Sequence, residues 1–541
     1  MKAQCLPFSR IPHTTRLFAD LLAWSPNIQG FYPRPPHFRE WVQDETSRVR
    51  YDSARRERVA AVLKRENAAW GASPKTLDNI ERFRTGAFAL VTGQQVGFLG
   101  GPAFSLYKAI TAIKLAELAT AAGADCVPVF WLATEDHDLE EVRHVAIPGQ
   151  EAVLQTLTAP TRSLPEAPVA EVLLEEQITE TIAAATASLG ESAVTALLAE
   201  SYRAGETLSN AFARLFTQLF ADWGVILLDA SDPGLHEIAS PVYLRAIEQA
   251  EELDQALLAR GKDLEEAGYH QQVRVTESST LLFTLQDGAR TPIHRRAAIA
   301  SAANDFLAGE EKLSRTDLLA RIASSPQNFS ANVLLRPVVQ DYLLPTLAYT
   351  GGAAEVAYFG QAAVVYEALL GRVTPVIPRF SATIVEPKPQ ALLDRYGLTL
   401  LDVAHGLEPL LERLAAHALP RELQAAFERA GANLDTSFVA IKESLERLDK
   451  TLVEAANNAA SKMHHQLEGL RARAARAESR QSEVLERHAR TLSNALYPNK
   501  ALQEREVAGI YFLARYGTQF LHQLYESANT DCLDHQVVSW G

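Results

Sequence analysis

The sequence predicts an α/β protein, a parallel-sheet core followed by an appended α-helical coiled coil. Three observations carry this. A strand, a glycine-rich loop, a helix and a second strand succeed one another over residues 87–134, the order of a βαβ unit. Short apolar runs of strand length recur up to about residue 387. From Leu434 to Leu452 the apolar positions then advance by steps of four and three, the seam of a coiled coil.

The elements follow in order. Residues 1–85 read as loop and then helix, with "SARRERVAAVLKRENAAWG" stopping at Gly71. Residues 87–91 form a short buried strand. Gly93, Gly97, Gly100 and Gly101 make a loop, and Pro102 opens a helix that runs to about Ala121. "CVPVFWLAT" is the second strand. Residues 148–222 have helical patterning rich in alanine, leucine and glutamate. "GVILLDASDPG" (224–234) is a further strand, followed by a helix over 238–260. The "DG" at 287–288, between apolar runs, signals a hairpin. Residues 332–361 read as strand, helix and Gly-Gly turn, and 371–387 as one more strand. The seam continues from Leu452 to His488, with a stutter near Met463 and a polar step at Gln481. Upstream, residues 389–430 are helical but broken by Pro420, so a helical hairpin is expected. The aromatic-rich last ~40 residues should fold back onto the core.

Totals narrow the function. The chain has 541 residues, enough for about two to four domains, and a formal net charge of −14. Its basic stretch, 470–480, reads as a solvated helix face, so neither nucleic acid nor an anionic membrane is an expected partner. No run approaches the ~20 apolar residues of a membrane span. Cys5, Cys126 and Cys532 are odd in number and far apart. They suggest no disulfide framework and no zinc site, in keeping with a reducing cytoplasm.

Three constellations carry chemistry. "TGQQVGFLGGP" lies between a strand and a helix start, where backbone N–H groups can meet an anion, although a tight turn needing glycine for its backbone angles is the default explanation. Gln94 and Gln95 are neutral groups able to read a polar substrate. Lys108 sits within the first two turns of the helix. In "ATEDHD", Glu135, Asp136, His137 and Asp138 crowd the C-terminal end of a strand, where open α/β sheets bind ligands. They could grip an amine, supply His137 as a general base, or hold a divalent metal with His144, and an acid-decorated helix start fits the same residues. No metal is predicted. The third constellation is the polar set Arg336, Gln340, Asp341, Tyr349, Glu355 and Tyr358, with Arg379 and Ser381 as anion contacts nearby.

Together, "LVTGQQVGFLGGPAFSLYK", "VPVFWLATEDHDLEEV", "LRPVVQDYLLPTLAYTGGAAEVAYFGQ" and "VIPRFSATIVEP", with the coiled coil and "LQER" (502–505) after them, resemble the bacillithiol biosynthesis cysteine-adding enzyme family over essentially the whole chain. The resemblance implies a Rossmann-type, nucleotidyltransferase-like core over 1–387, with insertions at about 148–222 and 262–330. It implies an antiparallel coiled coil over 388–495 used for homodimerisation, and a segment 496–541 packed back on the core. The implied activity is a cytoplasmic ligase joining L-cysteine to the amine of glucosaminyl malate, the last step of bacillithiol biosynthesis, with an adenine nucleotide (ATP or ADP) as a ligand. On that reading Glu135, Asp136, His137 and Asp138 are catalytic. Gln94, Gln95, Gly97, Arg336, Gln340, Tyr349 and Glu355 bind substrate. Gly93, Gly100, Gly101, Lys108, Arg379 and Ser381 bind the nucleotide. Class I aminoacyl-tRNA synthetases place histidines where this chain has "GGPAFSLYK", which leaves Lys108 and Arg379 as the nearest polyphosphate candidates. The competing readings are another adenylate-forming enzyme of this fold and a non-enzymatic coiled-coil scaffold.

Overall fold

Five short strands of nearly unbroken apolar sequence form the centre of the protein. They are β1 (Phe88–Gln94), β2 (Cys126–Leu132), β3 (Ile226–Asp229), β4 (Thr346–Gly351) and β5 (Val376–Pro378), in the order β5-β4-β1-β2-β3. Every neighbouring pair is parallel. Parallel strands need helical crossovers on both faces, so both faces are buried and no polar alternation appears. The chain winds one way from β1 to β3 and the other way through β4 and β5. The strand order therefore reverses between β1 and β4, where such sheets open a crevice beyond their C-terminal ends.

The computed structural model describes all residues except Met1, 150–151, 297–305, 419–420, 480–482 and Gly541. Two compact units emerge. The first combines Met1–Ile147, Gln155–Thr383 and Glu504–Val538, and the second Pro148–Leu154, Ile384–Gln503 and Ser539–Gly541.

In the first unit, α1 (Phe104–Ala121) joins β1 to β2 and is apolar on almost all sides because it packs on both strands. α2 (Arg336–Leu343) and α3 (Ala353–Leu370) flank β4. Several expectations are corrected here. The run "LLRPVV" is a helix start and not a strand: Asn332 Oδ1 accepts the N–H groups of Leu334 and Leu335 at 3.0 Å each, and Pro337 occupies the first turn. Residues 371–387 hold two strands, β5 and Ala382–Val385, separated at Arg379–Ser381. Within 148–222, strands Leu154–Thr158, Thr161–Arg162 and Leu173–Leu174 precede the helices. The helix expected over 238–260 is two, Pro233–Glu248 and Ala250–Glu266. The "DG" hairpin is present, pairing Ser279–Gln286 with Ala289–Arg295.

A disulfide joins Cys5 to Cys532, contrary to the expectation from cysteine number. The two are 527 residues apart in sequence. Strand His535–Ser539 lies beside Lys2–Leu6, and that pairing, invisible in spacing, brings the thiols together. Cys126 is free and buried.

The second unit is helical. Arg421–Leu448 packs against Leu452–Ser479. The seam read as continuous from 434 to 488 is cut by a turn in which Asp449 Oδ1 accepts from the Thr451 N–H at 2.8 Å. It therefore lies on two arms of a hairpin, where His464 meets Asp435 at 2.9 Å. The expected breaks at Pro420 and Gln481, and Arg480 of the basic stretch, lie outside the described residues.

Candidate active site

A cleft of about 490 Å³ opens in the first unit beyond the C-terminal ends of β1, β2 and β4. β1 contributes Gly93, Gln94 and Gln95, β2 contributes Trp131 and Ala133 after it, and Tyr349 comes from β4. α1 adds Phe104 and Lys108, α2 adds Arg336, and the start of α3 adds Gly352, Glu355 and Tyr358. Arg379 follows β5, and Glu141 and Arg505 complete the rim. Gly93 is required here, since a Cβ would stand 3.2 Å from Trp131 Cβ and 3.4 Å from the Tyr349 hydroxyl.

The floor of the cleft is a closed polar network. Lys108 Nζ donates to Gly93 O at 2.6 Å and Gln94 Oε1 at 2.7 Å, and pairs with Glu355 Oε2 at 2.6 Å. Its three protons are thus all used. Burial pulls the Lys108 ammonium down to about 8, against the upward pull of Glu355. Burial alone would raise the Glu355 carboxyl, but Lys108 holds it below the ordinary carboxylate range. Glu355 also accepts from the Tyr349 hydroxyl and from the Gly352 N–H at 2.8 Å.

Arg336 differs from Lys108. It donates to the Tyr358 hydroxyl and to Gln340 Oε1 at 3.3 Å, both neutral, and faces the Tyr349 ring at 5.8 Å. No carboxylate stands at ion-pair distance from it among the described residues, and Asp341 instead engages Gln340 and Tyr366. Gln340 is fully buried behind Arg336, so it supports the guanidinium and does not line the cleft. Arg379 pairs with Glu504 at 2.7 Å and donates to Phe380 O at 2.8 Å, while its buried Nε–H has no partner among the described residues. Ser381 does not face the cleft: its buried hydroxyl is bonded to Glu504 at 2.9 Å and His535 at 2.7 Å.

The acids at the end of β2 divide. Asp136, His137 and Asp138 line a neighbouring hollow of about 510 Å³ with Glu166. Gln95 links the two spaces, its amide donating to Asp136 at 2.8 Å and to Glu141 at 2.9 Å. His137 Nε2 lies 3.3 Å from Glu166, and its Nδ1 lies 3.3 Å from Arg290. Glu135 lines neither space. It is directed toward His236, 3.4 Å away, and burial pushes its carboxyl up to about 8 against the opposing charge of Arg290. Burial also takes His236 down to about 4.

The glycine turn is packed shut. A Cβ on Gly97 would come 2.9 Å from Gly101 Cα, and Gly100 and Gly101 have φ of 85° and 70°. The N–H of Ala103 donates to Val507 O at 2.8 Å, and Gly101 O accepts from Gly509 N–H at 3.2 Å. Residues 507–509 occupy the place expected for an anion. Of the residues expected to cradle a nucleotide's phosphates, Lys108 is saturated and Ser381 is turned inward, whereas Gly93 and Arg379 line the cleft. Gly97, Gly100 and Gly101 shape the backbone and lie outside the cleft.

Sequence reading missed Trp131, Glu141, Arg290, His236 and Arg505. Glu141 lay inside a quoted motif, and Arg505 inside "LQER". Arg290 and His236 carried no local signal, since they meet the acids only through tertiary folding.

Residues 1–380 match the family model described as the bacillithiol biosynthesis BshC N-terminal Rossmann-like domain, and residues 382–540 match the BshC C-terminal coiled-coil domain. Relatives bearing the name "Putative cysteine ligase BshC" include one from Koribacter versatilis, 49% identical over 539 residues, 99% of this chain and 100% of the relative. Another, from Solibacter usitatus, is 35% identical over 99% of this chain and 100% of the relative. A third, from Geobacillus kaustophilus, is 30% identical, covering 98% of each.

Proposed function

Because this chain belongs to the BshC family of bacillithiol biosynthesis, we propose that it is the ligase that joins L-cysteine to the amine of glucosaminyl malate, the last step of that synthesis. The observation that carries the substrate assignment is Arg336. It is a guanidinium hydrogen-bonded to neutral partners at the crevice of a parallel sheet, with no carboxylate at ion-pair distance among the described residues. Malate supplies such a carboxylate, in the bidentate geometry that arginine favours.

Amide formation needs the two substrates held together, a neutral amine and charge stabilisation for the developing oxyanion. Arg336 orients the malate end. Glu141 and the Gln95 amide oxygen stand at the rim to accept from an ammonium group, and the Glu141 carboxylate takes its proton. Trp131 and Arg379 line the walls, and each carries a buried N–H without a hydrogen-bond partner among the described residues. Lys108 and Glu355 keep Tyr349 and the start of α3 in register. The new C–N bond replaces a C–O bond of the cysteine carboxylate, and that oxygen leaves as water or on an activating phosphoryl group, which the arms with and without ATP below distinguish. Asp136 and His137, in the adjoining hollow, act on the cleft through Gln95.

The test incubates the protein with L-cysteine and glucosaminyl malate, with and without ATP, and follows the thiol product by mass spectrometry. Product forms with wild type, and Arg336→Ala raises KM for glucosaminyl malate about ten- to hundredfold. Absence of product in every arm overturns the reading. We further propose a homodimer through the hairpin, because Val439, Ile441, Met463 and Leu470 are about half exposed on its arms. Sedimentation with and without residues 389–490 checks it: loss of dimer on deletion is expected.

A further inference from the structure

Arg505 is exposed, lines the cleft and has no ion-pair partner among the described residues. It reaches the cleft because the chain around it is pinned on both sides. On one side, Glu504 is almost fully buried. Its Oε1 accepts from Arg379 at 2.7 Å and Ser381 at 2.9 Å, and its Oε2 accepts from the Ala382 N–H at 2.9 Å. On the other, Val507 O takes the Ala103 N–H at 2.8 Å, and the Ala508 N–H donates to Ala146 O at 2.9 Å. Gly509 then runs so close to α1 that a Cβ would stand 2.6 Å from Leu106 Cδ1. The backbone that carries Arg505 is therefore already fixed when a ligand binds, and only the rotamers of its own side chain remain to be ordered.

The lining residues carry four cations, Lys108, Arg336, Arg379 and Arg505, against two carboxylates, Glu141 and Glu355. Lys108 is matched by Glu355, and Arg379 by Glu504. Two cations are left without an ion pair among the described residues, Arg336 from α2 and Arg505 from the C-terminal segment, against the one remaining lining carboxylate, Glu141, which is bonded to the Gln95 amide. A dicarboxylate meets both.

We propose that Arg505, delivered by the pinned C-terminal segment, binds one carboxylate of a dicarboxylate-bearing substrate while Arg336 binds the other. This rests on the substrate reading above and adds a second binding residue to it. The experiment titrates full-length protein with glucosaminyl malate by calorimetry, without cysteine. Arg505→Ala weakens binding about ten- to hundredfold. Arg505→Lys recovers part of the loss, since it restores the charge without the fork. Methyl glucosaminide, which lacks the acid, shows no difference between wild type and either variant. Binding of glucosaminyl malate by Arg505→Ala within twofold of wild type, equal losses for both ligands, or no binding by wild type overturns the proposal. Thiol product is assayed separately. Binding through Arg505 without product removes the ligase reading alone, and product with unaltered binding in Arg505→Ala removes this proposal alone.

Discussion

Two buried carboxylates of the first unit have opposite effects on stability. Glu504 is surrounded by donors. Burial would raise its carboxyl, but the Arg379 guanidinium and the hydrogen bonds hold it below the ordinary range. Its folded-state value is therefore lower than the unfolded one. The stabilisation is complete above the unfolded value and disappears as pH falls through the folded one. Glu504→Ala also strands Arg379, and should cost about 3–5 kcal/mol at neutral pH by thermal or denaturant unfolding. Glu135 behaves in reverse. Its carboxyl, pushed up to about 8 by burial, keeps a proton that the unfolded chain has already released. Stability contributed at this site falls as pH rises from the ordinary carboxylate range to about 8. Glu135→Gln should flatten Tm against pH across that window, and an unchanged slope would contradict the assigned environment.

At the scale of elements, the turn between β1 and α1 is the piece whose role changed most between sequence and structure. Its glycines serve the backbone. Gly97→Ala forces a Cβ within 2.9 Å of Gly101 Cα, a backbone atom that cannot swing aside, and should destabilise by about 1–3 kcal/mol in a denaturant melt. The strands around that turn were legible because parallel strands buried on both faces leave uninterrupted apolar runs such as "CVPVFWLA". Arg336, Tyr349 and Glu355 were legible as polar groups crowded into apolar sequence. The packing of 507–509 on the turn was not, since contacts across some 400 residues leave no periodic trace. Nor was the direction of Glu135. Neighbours on one chain segment share a motif, but alternate residues at a strand end face different spaces. The hairpin turn at Asp449 was hidden for a related reason: apolar steps of four and three run across it without a break.

At the scale of the molecule, the net charge of −14 contrasts with the cation excess of the cleft. An anionic substrate of the kind proposed would be drawn to the cleft against the field of the rest of the surface. Substrate affinity should therefore fall with ionic strength, and more steeply in wild type than in Arg336→Ala. The Cys5–Cys532 bond ties the first strand to the last. Dithiothreitol should lower Tm, by an amount corresponding to about 2–4 kcal/mol, and Cys5→Ser should abolish that sensitivity. The first unit takes its strand order from the early and middle chain but part of the wall of its cleft, Arg505, from after residue 503. During synthesis the ribosome must therefore finish nearly the whole message before that wall exists. A nonsense codon anywhere in the helical excursion, however harmless to the sheet already made, would yield a nascent product with an incomplete cleft.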